Sequence, residues 1–244
     1  MTTSTRPSSP PSADPRQRAL RERERLVVML AVTSGATDAI GFLALGSAFT
    51  SVMTGNMVLL GVGTANRDAA LLLSCAVAIL TFVVGAAIGA RVAGSAAAGD
   101  AVWPKAVSIA LWIELALFAG FAALWWVLGS EPDPSWLLTM LGLNAGALGL
   151  QSSAIQRFGV PGLSTTYLTG TLTTVVIRLT SGHGLRNVGH SMIILLGLVV
   201  GAGIGSLLVG HASAAVPAVQ LVTVLGVLVV VRFSRHLGLP ARES

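Results

Sequence analysis

Charge is scarce in this chain. Asp, Glu, Lys and Arg make up 10% of its 244 residues, where a soluble domain carries about a quarter. Aromatic residues are few as well, at 5%, while apolar residues reach 53% and the mean hydropathy is +0.80. Too little polar surface remains to cover a water-soluble globule. The composition is that of an integral membrane protein.

Other absences narrow the function. The single cysteine, Cys75, lies inside an apolar run, which excludes an internal disulfide and any cysteine-rich zinc or iron–sulfur site. His183, His190 and His211 have no second histidine or carboxylate at ligand spacing, so no metal and no cofactor are expected. No Walker loop or dinucleotide fingerprint is present; GVGTAN (61–66) lacks the third glycine and a preceding strand. GLST (162–165) is similar to the nucleophile motif of intramembrane serine proteases, but its fourth residue is Thr165 rather than glycine, with no paired histidine. An enzyme is not expected. The net charge of +5 does not point to nucleic acid, because the basic residues cluster at chain ends and loops, where topology accounts for them.

What remains is a series of apolar segments. Residues 1–25 are Pro/Ser-rich and then charged, with no apolar stretch, and read as a disordered basic cytoplasmic tail. Crossing a hydrocarbon layer takes about 20 helical residues. Segments near 26–45, 69–92, 106–128, 136–156, 187–209 and 214–231 meet that length. Two further pieces, 52–65 and 168–180, are only 12 to 14 residues long, so a helix there reaches about 18–21 Å. Each follows a stretch rich in Gly, Ser, Thr and Pro, GSAFTSVMTG or GVPGLSTTYLTG. They read as half-helices.

Lys and Arg positions set an orientation. Six arginines precede residue 26, Arg91 and Lys105 flank the loop after the second full span, and Arg232, Arg235 and Arg242 follow the last. The loop GSEPDPS (129–135) has two acidic residues and no basic one, so it faces outward. Six crossings with both termini cytoplasmic satisfy these constraints. Eight crossings, with both short pieces counted as full spans, are the alternative.

The halves also repeat at an offset of 115 residues: AFTSVMTGNMVLL (48–60) lies over LSTTYLTGTLTTV (163–175), and Ala39-Ile40 over Ala154-Ile155. Three crossings per unit give the copies opposite topology. The expected fold is therefore an all-α, polytopic membrane helix bundle of six spans, as two inverted three-span repeats (26–130 and 131–232), each with a broken re-entrant half-helix, followed by a cytoplasmic tail at 233–244. Irregular backbone at membrane depth is costly unless protein, water or ligand satisfies it. The free N–H groups at a half-helix start favour an anion or a carbonyl-bearing solute. This is the plan in which broken helices present backbone groups to a central site.

From GATDAIGF (35–42) through MTGNMVLLG (53–61), and again in GLQSSAIQRFG (149–159) and TTYLTGTL (165–172), the chain resembles the YoaK-type family of uncharacterised bacterial inner-membrane proteins. The resemblance covers about residues 25–235. It implies a multi-pass inner (plasma) membrane location and supplies no activity. More loosely, a break leading into a half-helix is similar to sulfate-permease-like and nucleobase transporters.

The candidate substrate-binding residues are Asp38, Thr54, Gly55, Asn56, Gln151, Tyr167, Thr169, Gly170 and Thr171. A carboxylate at the depth of Asp38 costs at least about 2.5 kcal/mol on insertion scales. It reads either as a ligand for a proton, a sodium ion or a substrate donor, or as a hydrogen-bond partner of the break. Glu114 reads as neutralised, paired with another span, or part of a proton path. Asn144 and Gln151 share a helical face and read as interhelical hydrogen-bonding groups or site residues. Gly85, Gly89, Gly197, Gly201 and Gly205 read as close helix contacts, and glycine-rich spans also invite a homodimer. The expected function is a secondary transporter or channel-like carrier of a small anionic solute, with the bilayer as its other partner. The alternative is a non-transporting membrane scaffold or sensor.

Overall fold

A computed structural model describes residues 14–97, 99–130, 134–158, 168–181 and 189–239. Among them the chain forms eight α-helices and no β-sheet: α1 (Pro15–Ala44), α2 (Met53–Asn66), α3 (Ala69–Ala93), α4 (Lys105–Val127), α5 (Leu137–Gln156), α6 (Leu168–Thr180), α7 (Gly189–His211) and α8 (Val216–Phe233). All six long segments and both short ones stand where apolar run length placed them.

The start of α1 corrects one expectation. The stretch 15–25, read as part of a disordered tail, is helical. Asp14 caps it by accepting the Arg16 N–H at 3.0 Å, Pro15 supplies a preset first-turn φ, and Ala19 and Arg23, one turn apart, are buried. Ala19 shares an apolar cluster with Leu237, from the 3-10 turn Arg235–Gly238 beyond α8. At 30 residues, α1 is about 45 Å long and overshoots a hydrocarbon core of about 30 Å, so its charged first turns stand outside.

α1, α3, α4, α7 and the stretch Ser213–Phe233 are long and apolar enough to cross a membrane. α5 differs: 12 of its 20 residues are buried, including Asn144, Gln151 and Ser152, which makes it an interior helix. Many large apolar side chains on the other helices point outward, among them Leu80, Val84, Ile109, Leu196, Val199 and Val222. Such a continuous apolar surface is what lipid covers. The chain is a multi-pass membrane protein.

Contacts fix helix directions. At one end, Arg157 after α5 donates to Ala93 O at the end of α3, Arg23 lies over the Phe158 ring, and the Trp103 N–H before α4 donates to Leu237 O after α8. His190 of α7 approaches Glu24 of α1 there. At the other end, Trp125 and Trp126 of α4 donate to Ser213 O and Ala214 O before α8. Thus α1, α4 and α7 leave the first end, and α3, α5 and α8 return to it. That end carries Arg18, Arg21, Arg25, Arg91, Lys105 and Arg157. Its loop is tied by an Arg157–Asp100 ion pair at 3.0 Å. The Ala97 N–H and the Arg157 guanidinium hold the Asp100 carboxyl below the usual carboxylate range.

Glycine sets the tightest packing. A Cβ on Gly35 would stand 2.0 Å from Leu198 O, one on Gly201 2.1 Å from Val32 O, and one on Gly205 2.5 Å from Ala36 O. The same contacts recur between α3 and α5: Gly149 at 2.1 Å from Phe82 O, Gly85 at 2.0 Å from Gly146 O, Gly89 at 2.6 Å from Leu150 O. Gly85, Gly89, Gly201 and Gly205 thus pack within the chain, across its two halves. Gly149 stands 114 residues after Gly35, and Gly201 116 after Gly85. An offset of 114 would carry Asp38 onto Ser152, one residue from the register that lays Ala39-Ile40 over Ala154-Ile155.

Candidate functional site

Beyond α1 the chain turns through left-handed conformations at Gly46 and Ser47 (φ 109° and 57°) and doubles back along the helix it has just left. At Gly46 a side chain has no room, since a Cβ would lie 2.5 Å from Ser74 Oγ. Phe49 stacks on Phe42 with centroids 5.1 Å apart, bringing residues 49–51 level with Asp38, one and a half turns inside α1.

Two buried side chains hold that irregular backbone. Asp38 Oδ1 accepts the Thr50 N–H at 2.7 Å, the Ser51 N–H at 2.7 Å and the Thr50 hydroxyl at 3.0 Å; Oδ2 accepts the Ser51 hydroxyl at 2.5 Å. Asn56 pairs with one peptide unit, accepting the Phe49 N–H at 2.8 Å and donating to Phe49 O at 2.7 Å. Buried backbone that leaves a helix needs such partners, and here the protein supplies them itself. The second of the two readings of Asp38 is the one the geometry shows. Its carboxyl group stands just ahead of α2, whose N-cap, Val52, has no side-chain cap. Thr54 is exposed, and Gly55 lies against Phe49 and Val52.

The rest of the expected set is distributed. In α6, Gly170 is half-buried and Thr171 buried, and the Gly170 carbonyl accepts the Thr174 hydroxyl at 2.8 Å. Of Thr169 only its place in α6 is described. Tyr167 and the GLST segment lie outside the described residues. α2 packs on α3 and α6 on α7, and among the described residues no packed α2–α6 interface forms. Each short helix is seated on the long helix that follows it.

Gln151 belongs to a separate polar seam. Its Nε2 donates to Ser34 Oγ at 3.0 Å, joining α5 to α1. Further along, Gln220 Nε2 donates to Thr37 Oγ1 at 3.0 Å and to Asn144 Oδ1 at 2.5 Å, while Thr33 donates to Thr223 Oγ1 at 2.6 Å. Three helices are thus hydrogen-bonded through the bundle interior. Asn144 and Gln151 make the interhelical bonds their shared face suggested. Gln220 was missed; the one readable signal was a lone amide three residues before Thr223 in an otherwise apolar last span. Because residues near 37 meet 144 and residues near 34 meet 151, α1 and α5 are antiparallel.

Two features complete the interior. A groove of about 360 Å³ beside Asp38 is lined by Gly35, Phe42, Phe49, Leu198, Ala202 and Ser206, among others, and is almost wholly apolar. On α4, Glu114 is fully buried, and neither of its carboxyl oxygens has a hydrogen-bond partner. Among the described residues no group of three His, Cys, Asp or Glu side chains could hold a metal ion.

Comparison with known proteins places the chain. A 154-residue stretch, 63% of the chain, is 33% identical to the UPF0700 transmembrane protein YoaK of Bacillus subtilis (strain 168), and the match spans 66% of that protein's length. No solved structure matches. Residues 26–231 match the family described as "Protein of unknown function (DUF1275)", the stretch that carries the MTGN and TYLTGT motifs, the polar seam and the break at Asp38. The chain belongs to the DUF1275 family.

Proposed function

We propose that the protein is a secondary transporter or channel-like carrier of a small anionic solute, built as six crossings in two inverted three-span units with both termini on the cytoplasmic side of the inner membrane. The observation that carries this reading is the broken backbone at 45–52, turned back to the level of Asp38 and followed by the short helix α2. A scaffold has no need of backbone irregular at membrane depth; carriers use it at their sites. The antiparallel course of α1 and α5 and the twice-repeated glycine contacts support the inverted units. The basic residues gathered where α1 begins and α8 ends support the orientation.

The two units differ in charge at the position of Asp38, and this supports a place for the anion in the second. In the first, the Asp38 carboxylate already occupies the donors. The corresponding residue of the second unit is Ser152, a hydroxyl. The solute therefore belongs at the start of α6, by Thr169, Gly170 and Thr171, with Tyr167 and Gln151 as its surroundings, while Asp38, Thr54, Gly55 and Asn56 form the matching fixed half. One observation favours the scaffold reading: Asp38 and Asn56 already spend their hydrogen bonds on residues 49–51.

Uptake by liposomes carrying the full chain separates the two. With a panel of labelled carboxylates, sulfate, phosphate and nucleobases, at least one solute enters faster than into empty liposomes. Thr171→Val lowers that rate by roughly tenfold, the loss of one hydrogen bond to a charged ligand. Uptake of no panel member by folded protein favours the scaffold.

A further inference from the structure

Among the described residues, Glu114 is the one carboxyl of the bundle interior that the packing does not use. It lies on the face of α4 that also carries Ala110, Leu111 and Phe118. Those residues belong to one apolar cluster with Ala147 and Leu148 of α5 and Val224 and Val227 of α8. Both Glu114 oxygens are buried there without a hydrogen-bond partner. Asp38, also buried, accepts four hydrogen bonds.

We propose that Glu114 is a proton-binding site of this protein, loaded in the closed arrangement of the structure and emptied when water reaches the α4–α8 side of the bundle. This rests on the carrier reading and gives it a coupling ion. The ligand is identified by what surrounds the carboxyl. A hard metal cation needs a shell of several oxygens, and the α5 and α8 residues clustered with its flanking side chains are aliphatic. A proton needs one oxygen. Charge compensation from neighbours is also missing: α5 carries no titratable side chain, α8 only Arg232, α3 only Cys75 and Arg91, and α4 itself only Lys105, nine residues away. Cys75 clusters with Phe121 and Trp125, toward the other end of α4, and Arg91, Arg232 and Lys105 stand in terminal turns. An ionised carboxylate so placed has neither a counter-charge nor a donor. The closed bundle holds the acid form, and the carboxylate exists only once the interface admits water. Loading takes one proton from water onto a carboxylate oxygen, and release returns it.

Dicyclohexylcarbodiimide reads that state directly. The acid O–H adds across one C=N bond, the carboxyl oxygen bonding to the central carbon and the proton going to nitrogen, and the adduct rearranges to a stable N-acylurea. Wild-type protein in liposomes is treated from about pH 6 to about pH 10, and the peptide containing Glu114 is quantified by mass spectrometry. The expected result is labelling of Glu114 that falls with rising pH, about tenfold per unit beyond its midpoint as a one-proton site requires, and none in Glu114→Gln. Absence of labelling overturns the proposal, and so does a pH-independent yield, the mark of a permanently protonated filler. The profile is read on wild-type protein, so it stands even if the variant fails to fold. No solute is present: a negative result removes the proton site and leaves the carrier reading intact, whereas failure of the uptake panel removes the carrier and leaves this titration untouched.

Discussion

Asp38→Ala should lose more than about 3 kcal/mol of stability, enough to abolish recovery of monodisperse protein from detergent. The carboxylate accepts two backbone N–H groups and two hydroxyls in a buried place, and each donor left unsatisfied costs about 1–3 kcal/mol. The hydroxyls can rotate to new acceptors; the Thr50 and Ser51 N–H groups cannot. Asp38→Asn keeps an acceptor at Oδ1 for both, loses the charge assistance and the Oδ2 acceptor of the Ser51 hydroxyl, and should melt between wild type and alanine. Thermal unfolding in micelles orders the three proteins. A different ranking, with Asp38→Ala as stable as wild type, would mean that the carboxylate serves a ligand and does not hold the break.

Gly201→Ala should be nearly as damaging, and a neighbour two residues away provides its control. A Cβ at Gly201 meets Val32 O at 2.1 Å, while one at Gly203 meets nothing within 4 Å. The first contact is between backbones, so no side-chain rotation relieves it and α1 must move off α7. Overpacking of this kind costs typically about 1–3 kcal/mol and occasionally more; here the upper end is expected. Gly203→Ala gains up to about 1 kcal/mol from helix propensity alone. Opposite signs for two Gly→Ala changes on one helix, read as melting temperatures, check the packing; equal effects would contradict it. Gly149→Ala, at 2.1 Å from Phe82 O, should repeat the loss in the other pair.

These two cases also show where sequence reading stops. Apolar run length placed all eight helices, because span length is set by the bilayer and the breaks are written in Gly, Ser, Thr and Pro. Charge misled at 15–25: a run of arginines reads as tail, and only the Asp14 cap and the buried Ala19–Arg23 face make it helix. The paired TG steps are the sequence signal for the proposed repeat. The glycine contacts of α1 and α5 fall at an offset of 114 rather than 115, and a slip of one among Ala, Gly and Ser leaves no trace in so biased a composition. The glycines were legible as contact points, whereas their partners were not: α1 meets α7 and α3 meets α5, pairings that join the two halves. Asp38 and Asn56 stood out as polar residues beside a break. Which atoms they would satisfy depends on the chain turning back at Gly46 and Ser47, a three-dimensional fact.

The central claim is that the two units enter the membrane from opposite faces, each with a short helix that does not cross. Asn66 and Ser181, exposed at the far ends of α2 and α6, test it directly. With the buried Cys75 replaced by alanine, a single cysteine at either position is challenged in intact and in inverted vesicles with a membrane-impermeant thiol reagent. Two re-entrant half-helices predict labelling of position 66 from the periplasmic face only and of position 181 from the cytoplasmic face only. Labelling of both from the same face, as eight full crossings require, would contradict the account.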